Sequence, residues 1–340
     1  MQDIAHAEKQ LFAAAQLSPR LRRVRLSGFH EQLAQITSVL LVLPTSLWEL
    51  HLDVRCPQRL PMALQRFSAL QSLRITGNGS SVDWSGCGAP LPKLAELRLD
   101  FRRELMIDPE DAEQPGAIHE LSISTALHLH SATGLHSLEL RAKYSEGVRA
   151  LLGGLPALRR LRLDIYECEN EHAQAAVTAL SQLPAHVHYA FGVHAYRGHE
   201  ENYNYPDVEE YPWLSLPPMA HLRGLTELCL VGLASLPLDW RQLPSLQRLT
   251  LANDSRWAEE GNWDVIEFEW GTGPLTAMTA LSRLDILGKG DIDDPPIHGA
   301  LPDAAELATA PALARVHADR APTGWLAQLR ALRPYLELTS

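Results

Sequence analysis

Leu47-Trp48-Glu49-Leu50-His51-Leu52 is the stretch that decides the fold. Leu50 and Leu52 lie two residues apart, so an extended chain projects both to one face and sends Glu49, His51 and Asp53 to the other. The same Leu-x-x-Leu-x-Leu phrase returns at Leu70-x-x-Leu73-x-Ile75, Leu94-x-x-Leu97-x-Leu99, Leu135-x-x-Leu138-x-Leu140 and Leu158-x-x-Leu161-x-Leu163. It recurs at Leu225-x-x-Leu228-x-Leu230, Leu246-x-x-Leu249-x-Leu251 and Leu281-x-x-Leu284-x-Ile286. An apolar phrase repeated every few tens of residues marks units that cannot bury their leucines alone and do so by stacking.

Aligned on the first leucine, Leu21, Leu47, Leu70, Leu94 and Ile118 give steps of 26, 23, 24 and 24 residues. Leu135 and Leu158 follow at 17 and 23, and Leu225, Leu246, Leu281 and Leu313 then give steps of 21, 35 and 32. The pattern resembles the leucine-rich repeat family, whose units run about 20–29 residues. The resemblance is to the irregular intracellular type and covers nearly the whole chain. It implies an α/β solenoid over residues 1–340, a curved horseshoe with a parallel sheet on the concave face and helices and irregular turns on the convex face.

The return segments carry helical spacing, at Ser145 to Leu152 and at Asn170 to Leu183, where Ala173, Ala176, Val177, Leu180 and Leu183 form one stripe. Leu-Pro pairs at Leu91-Pro92, Leu155-Pro156, Leu183-Pro184 and Leu243-Pro244 close these segments before the next strand. Asn78 falls where the family often places an asparagine and Asn253 is one residue early. The 17-residue step from Ile118 is short for a coil, and Ala126 to His130 competes for that place. A degenerate repeat is expected at Val187 to Val193.

Residues 1–20 read as an N-terminal helix or partial repeat, and 325–340 as a helix followed by a strand. About twenty residues precede the first repeat, too few for an F-box. Either the array continues beyond these ends or the terminal helices cap it.

Hydrophobic content of 46% and charged content of 21% are ordinary for a folded chain. A net charge of −11 argues against a general nucleic-acid or anionic-membrane binder. Cys56, Cys87, Cys168 and Cys229 are scattered with no C-x-x-C, and no signal peptide is evident, so a cytoplasmic location is expected.

The outward strand positions form a central row containing Arg25, His51, Arg74, Arg98, Ser122, Glu139, Arg162, Cys229, Thr250, Asp285 and His317. One neighbouring row includes Arg23, Glu49, Ser72, Glu96, Glu120, Ser137 and Arg160. Arg25, His51, Arg74, Arg98, Arg160 and Arg162 are the candidate partner-binding residues of this face. The competing reading is a ladder of Arg–carboxylate pairs between adjacent strands, about 4.8 Å apart.

Two acidic and aromatic inserts interrupt the repeat at 197–213 and 254–270, and together carry −9 of the −11. Tyr203, Tyr205, Tyr211, Trp213, Trp257, Trp263 and Trp270 are candidate contacts for a partner that is basic there. The alternative is that these aromatics pack the inserts onto the solenoid edge while the acids face water.

Chemistry is sparsely signalled. His128-x-His130 and His186-x-His188 would place paired imidazoles on a strand face, but no further ligand at metal spacing completes either. No phosphate-binding, dinucleotide or nucleophile-elbow motif occurs. The reading is a non-enzymatic protein-binding scaffold with no cofactor and no membrane or nucleic-acid partner. The resemblance implies substrate recognition in a ubiquitin-ligase or other regulatory complex as one form of that role. The alternatives are a metal-assisted hydrolase with its site in the inserts, and a structural spacer in a large assembly.

Overall fold

A computed structural model describes residues 21–29, 33–54, 62–76, 91–100, 126, 129–130, 132–168, 170–195, 222, 224–231, 239–253, 275–288, 301–319 and 321–339. Among them are twelve strands whose order in the sheet follows chain order. The first six are β1 (Arg23–Phe29), β2 (Glu49–Val54), β3 (Ser72–Thr76), β4 (Glu96–Asp100), β5 (Ser137–Lys143) and β6 (Arg160–Cys168). The others are β7 (His188–Ala195), β8 (Leu225–Val231), β9 (Arg248–Asn253), β10 (Arg283–Gly288), β11 (Arg315–Ala318) and β12 (Glu337–Thr339). The chain divides into two compact units, Met1–Arg162 and Leu163–Ser340.

In the first unit β1 to β5 pair in parallel, with Leu50 against Leu73, Leu73 against Leu97 and Leu97 against Leu138. All four leucines are buried, as are Leu52, Ile75, Leu99 and Leu140 one pleat further on. In the second unit β7 to β12 pair in parallel, and Leu228, Leu249, Leu284 and Val316 form the equivalent buried row. Period-two alternation thus sets which face is core, and a one-residue slip on any strand would expose its leucines.

Strands after β1 are entered through a four-residue turn. The amide of Leu94 donates to Leu91 O at 3.1 Å, Leu158 to Leu155 O at 3.2 Å and Leu246 to Leu243 O at 3.1 Å. Pro92, Pro156 and Pro244 occupy the second position, where a preset φ suits the turn and no amide is needed. The next two residues bond back to the preceding coil, as Gln71 N and Ser72 N do to Trp48 O at 2.8 and 2.9 Å.

The helices are α1 (Leu33–Val42), α2 (Glu146–Gly153), α3 (Asn170–Ser181), α4 (Ala304–Leu307) and α5 (Thr323–Leu332). The expected stripe of α3 is buried at Ala173, Ala176, Val177 and Leu180, and Leu183 lies just beyond its end. Among the described residues no helix is long and apolar enough to cross a membrane.

Two expectations need correction. β4 pairs directly with β5, so the strand expected from Ile118, with Glu120 and Ser122 in the outward rows, does not stand between them. Ala126 and Leu129 are helical and buried, so that stretch belongs to the return segment before β5. The degenerate repeat at Val187 to Val193 does form a strand, β7. Residues 1–20, Asn78 and both acidic inserts lie outside the described residues.

Candidate functional site

The outward row of the first unit is the expected one: Arg25 stands beside His51, His51 beside Arg74, Arg74 beside Arg98 and Arg98 beside Glu139. Arg160 opens β6 and is exposed, and Arg162 is half-buried, alternating with buried Leu161 and Leu163. The strand pleat therefore brings the candidate arginines and His51 to one surface.

The ladder reading holds for part of this surface. Arg23 Nε meets Glu49 Oε2 at 3.0 Å. Arg98 reaches Glu139 at 3.0 Å, and Arg141 reaches Glu139 at 3.1 Å and Asp100 at 3.5 Å. Asp100 is itself buried, so its charge is held beneath arginines rather than shown to solvent.

Arg25 and Arg74 break the pattern. Neither forms an ion pair among the described residues, because register gives Arg25 only His51 as its cross-strand neighbour and gives Arg74 only His51 and Arg98. Arg74 Nε is buried without a hydrogen-bond partner. His51 Nε2 shares a 3.3 Å hydrogen bond with Thr76 Oγ1. Burial pulls the His51 imidazole below its ordinary value, and Arg74 and Arg25 push it the same way, so it is neutral at pH 7.

A depression of about 300 Å³ lies across β2 to β5. Its wall alternates Glu49, Ser72, Glu96 and Ser137 in one register row, and the two short serines open it between the carboxylates. His51, Arg74, Arg98 and Glu139 line the adjoining row. Reading the sequence as charge alone missed this notch, although the Glu-Ser-Glu-Ser order was the signal for it.

In the second unit the central row runs Gly192, Cys229, Thr250, Asp285 and His317. Asp285 is buried and takes Arg283 Nε at 2.8 Å and Arg248 Nε at 3.0 Å, which closes that part of the face on itself.

His128 lies outside the described residues, and neither His130 nor His186 is on a strand. His130 sits in a turn, its Nε2 2.9 Å from Ala150 O and its ring over Gly154, which leaves no room there for a Cβ. His186 lies in the turn before β7, so it and His188 do not share a strand. Tyr203, Tyr205, Tyr211, Trp213, Trp257, Trp263 and Trp270 are outside the described residues.

No protein-family model matches the chain, and no curated protein sequence is similar to it. Among solved structures it is similar to a chain of a TLR13–ssRNA13 complex, at 16% identity and a TM-score of 0.45 over 92% of this chain. The chain spans 37% of that chain's length. It is also similar to the leucine-rich repeat-containing protein LegL7 from Legionella pneumophila, at 11% identity and a TM-score of 0.38, over 94% of this chain and 82% of that one. Those likenesses are too low to bear on function. By its own parallel register and its ladder of buried leucines, the chain is an α/β leucine-rich repeat solenoid.

Proposed function

We propose that this chain is a non-enzymatic protein-binding scaffold whose outward strand face holds the partner. The observation that carries the reading is the division of labour along β2 to β5. Their leucines and Ile75 are buried in the stack, while a polar row is presented outward on hydrogen-bonded backbone, with Arg25 and Arg74 left without carboxylates among the described residues. Solenoids use extended surfaces of this kind for recognition. The candidate contacts are Arg25, His51, Arg74, Arg98, Arg160 and Arg162, and the acidic–aromatic inserts at 197–213 and 254–270 are proposed as a second contact for a basic region of the partner. Substrate recognition in a ubiquitin-ligase or regulatory complex is one form this role takes in the proposal.

The test is a photo-crosslinking residue placed at Ser72 or Ser137 on the strand face, and at Thr178 on the exposed side of α3. A specific protein adduct from the strand-face positions alone is expected in cell extract. Equal labelling from Thr178 would overturn the reading.

A further inference from the structure

We propose that the row Arg25–His51–Arg74 reads carboxylates, taking an acidic peptide segment of the partner with one Asp or Glu side chain on each arginine. This rests on the protein-binding reading above. Its first support is selectivity in the ion-pair pattern. Arg23, Arg98 and Arg141 each have a carboxylate at 3.0–3.5 Å, whereas Arg25 and Arg74 have none among the described residues. Register explains why: no acidic residue stands opposite either one.

The second support is the chemistry of Arg74. Its Nε is buried without a hydrogen-bond partner, as are those of Arg98 and Arg141, but in those two the terminal nitrogens meet carboxylates, which the terminal nitrogens of Arg74 do not among the described residues. A guanidinium offers a planar fork that matches a carboxylate with two parallel hydrogen bonds. The third support is His51. It stands between the arginines, tied to Thr76, and as a neutral ring it separates two cations that would otherwise be three.

Geometry sets the ligand. Arg25 and Arg74 lie two strand spacings apart, about 9.6 Å at the backbone. Acidic side chains at i and i+2 of an extended peptide are roughly 6.7 Å apart, a difference that two long arginine side chains absorb. Glu49 and Glu96 on one flank and Asp53 on the other confine the cationic stripe to a single row. A continuous phosphate backbone would meet those carboxylates, whereas a peptide alternating acidic and neutral residues places charge only on the stripe. That favours an acidic peptide over a nucleic acid.

The experiment is fluorescence anisotropy at low salt with the full chain and a labelled peptide of alternating Asp and Ser. A matching Asn–Ser peptide and a uridine oligonucleotide serve as comparisons. Saturable binding of the Asp–Ser peptide is expected, with none for Asn–Ser. The double variant Arg25→Ser, Arg74→Ser should bind at least tenfold more weakly and melt like the wild type. Arg23→Ser, which removes one arginine charge from a paired position, should change binding less than twofold. Equal affinity in the double variant overturns the proposal, as does tighter, arginine-dependent binding of the oligonucleotide. If the peptide fails while crosslinking from Ser72 still maps a partner to the strand face, the acidic-segment inference falls and the scaffold reading stands. If crosslinking from that face also fails, the scaffold reading falls with it.

Discussion

Gly192 stands directly against the carboxylate of Asp164: a Cβ on Gly192 would lie 2.3 Å from Asp164 Oδ1 and 3.1 Å from its Cγ. Asp164 is short and buried, so it cannot swing clear without leaving its own surroundings. Gly192→Ala should cost about 1–3 kcal/mol through overpacking, read from urea denaturation. Combining it with Asp164→Ala should cost less than the two single changes added together, since the second change removes the clash. Strict additivity would contradict the contact.

Two ion pairs on the same kind of surface should behave differently. Asp285 is 2% exposed and bridges Arg248 and Arg283, themselves 40% and 36% exposed. Removing it leaves two cations side by side, and Asp285→Ala should destabilise by about 1–3 kcal/mol, below the fully buried range because both arginines reach water. Arg23 and Glu49 are 66% and 44% exposed, and Glu49→Ala should cost no more than about 1 kcal/mol. Thermal melts of the two variants check the ordering.

Arg333 holds the end of the second unit together. Its guanidinium donates to Ala308 O and Ala310 O at 3.0 Å and to Leu313 O at 2.8 Å. These carbonyls follow α4 and lead into β11, so one side chain binds α5's coil to the preceding one. Arg333→Ala should cost about 1–3 kcal/mol, and Arg333→Lys should recover only part, because an ammonium lacks the planar fork. Hydrogen exchange should show the loss concentrated in β11, α5 and β12; uniform loss across the chain would contradict the local role.

His51 predicts opposite pH responses with and without ligand. Its folded value lies below the unfolded one, so its contribution to stability is present above the ordinary imidazole range and is lost as pH falls through it. Arg25, Arg74 and Arg98 oppose its protonation, and Asp53 favours it. The free protein should therefore lose more stability between about pH 7 and pH 5 than His51→Gln does, a window around the usual value near 6.5. A bound carboxylate reverses the local balance, so affinity for the Asp–Ser peptide should rise several-fold over the same interval and stay flat in His51→Gln. Urea titrations and anisotropy at both pH values measure the two effects.

The repeat was legible because the leucines that define it are also the ones buried: Leu50, Leu73 and Leu97 carry both the period and the core. Outward register followed from the same alternation, as with Arg25, His51 and Arg74. Ile118-x-x-Leu121-x-Ile123 matches the phrase in full, yet β4 pairs straight with β5, so the phrase alone does not assign a place in the sheet. The candidate site was less legible. Composition of a row does not say which arginines find acids; that depends on cross-strand neighbours and on side chains such as Asp100 folding under them. Nor does a row of letters show that Ser72 and Ser137 are gaps.

From Val54 at the end of β2 to Ser72 at the start of β3 the chain advances 18 positions, and from Asp100 to Ser137 it advances 37, yet each passage moves one strand across the sheet. Doubling a connection adds only about 0.6 kcal/mol of closure entropy. That is less than the roughly 0.8 kcal/mol gained by burying one methylene. Lineages of such a chain are therefore free to lengthen or trim the passages between coils almost without thermodynamic consequence, so long as the leucines on either side return to their places. Selection on what those passages contact can act there independently of selection on the fold.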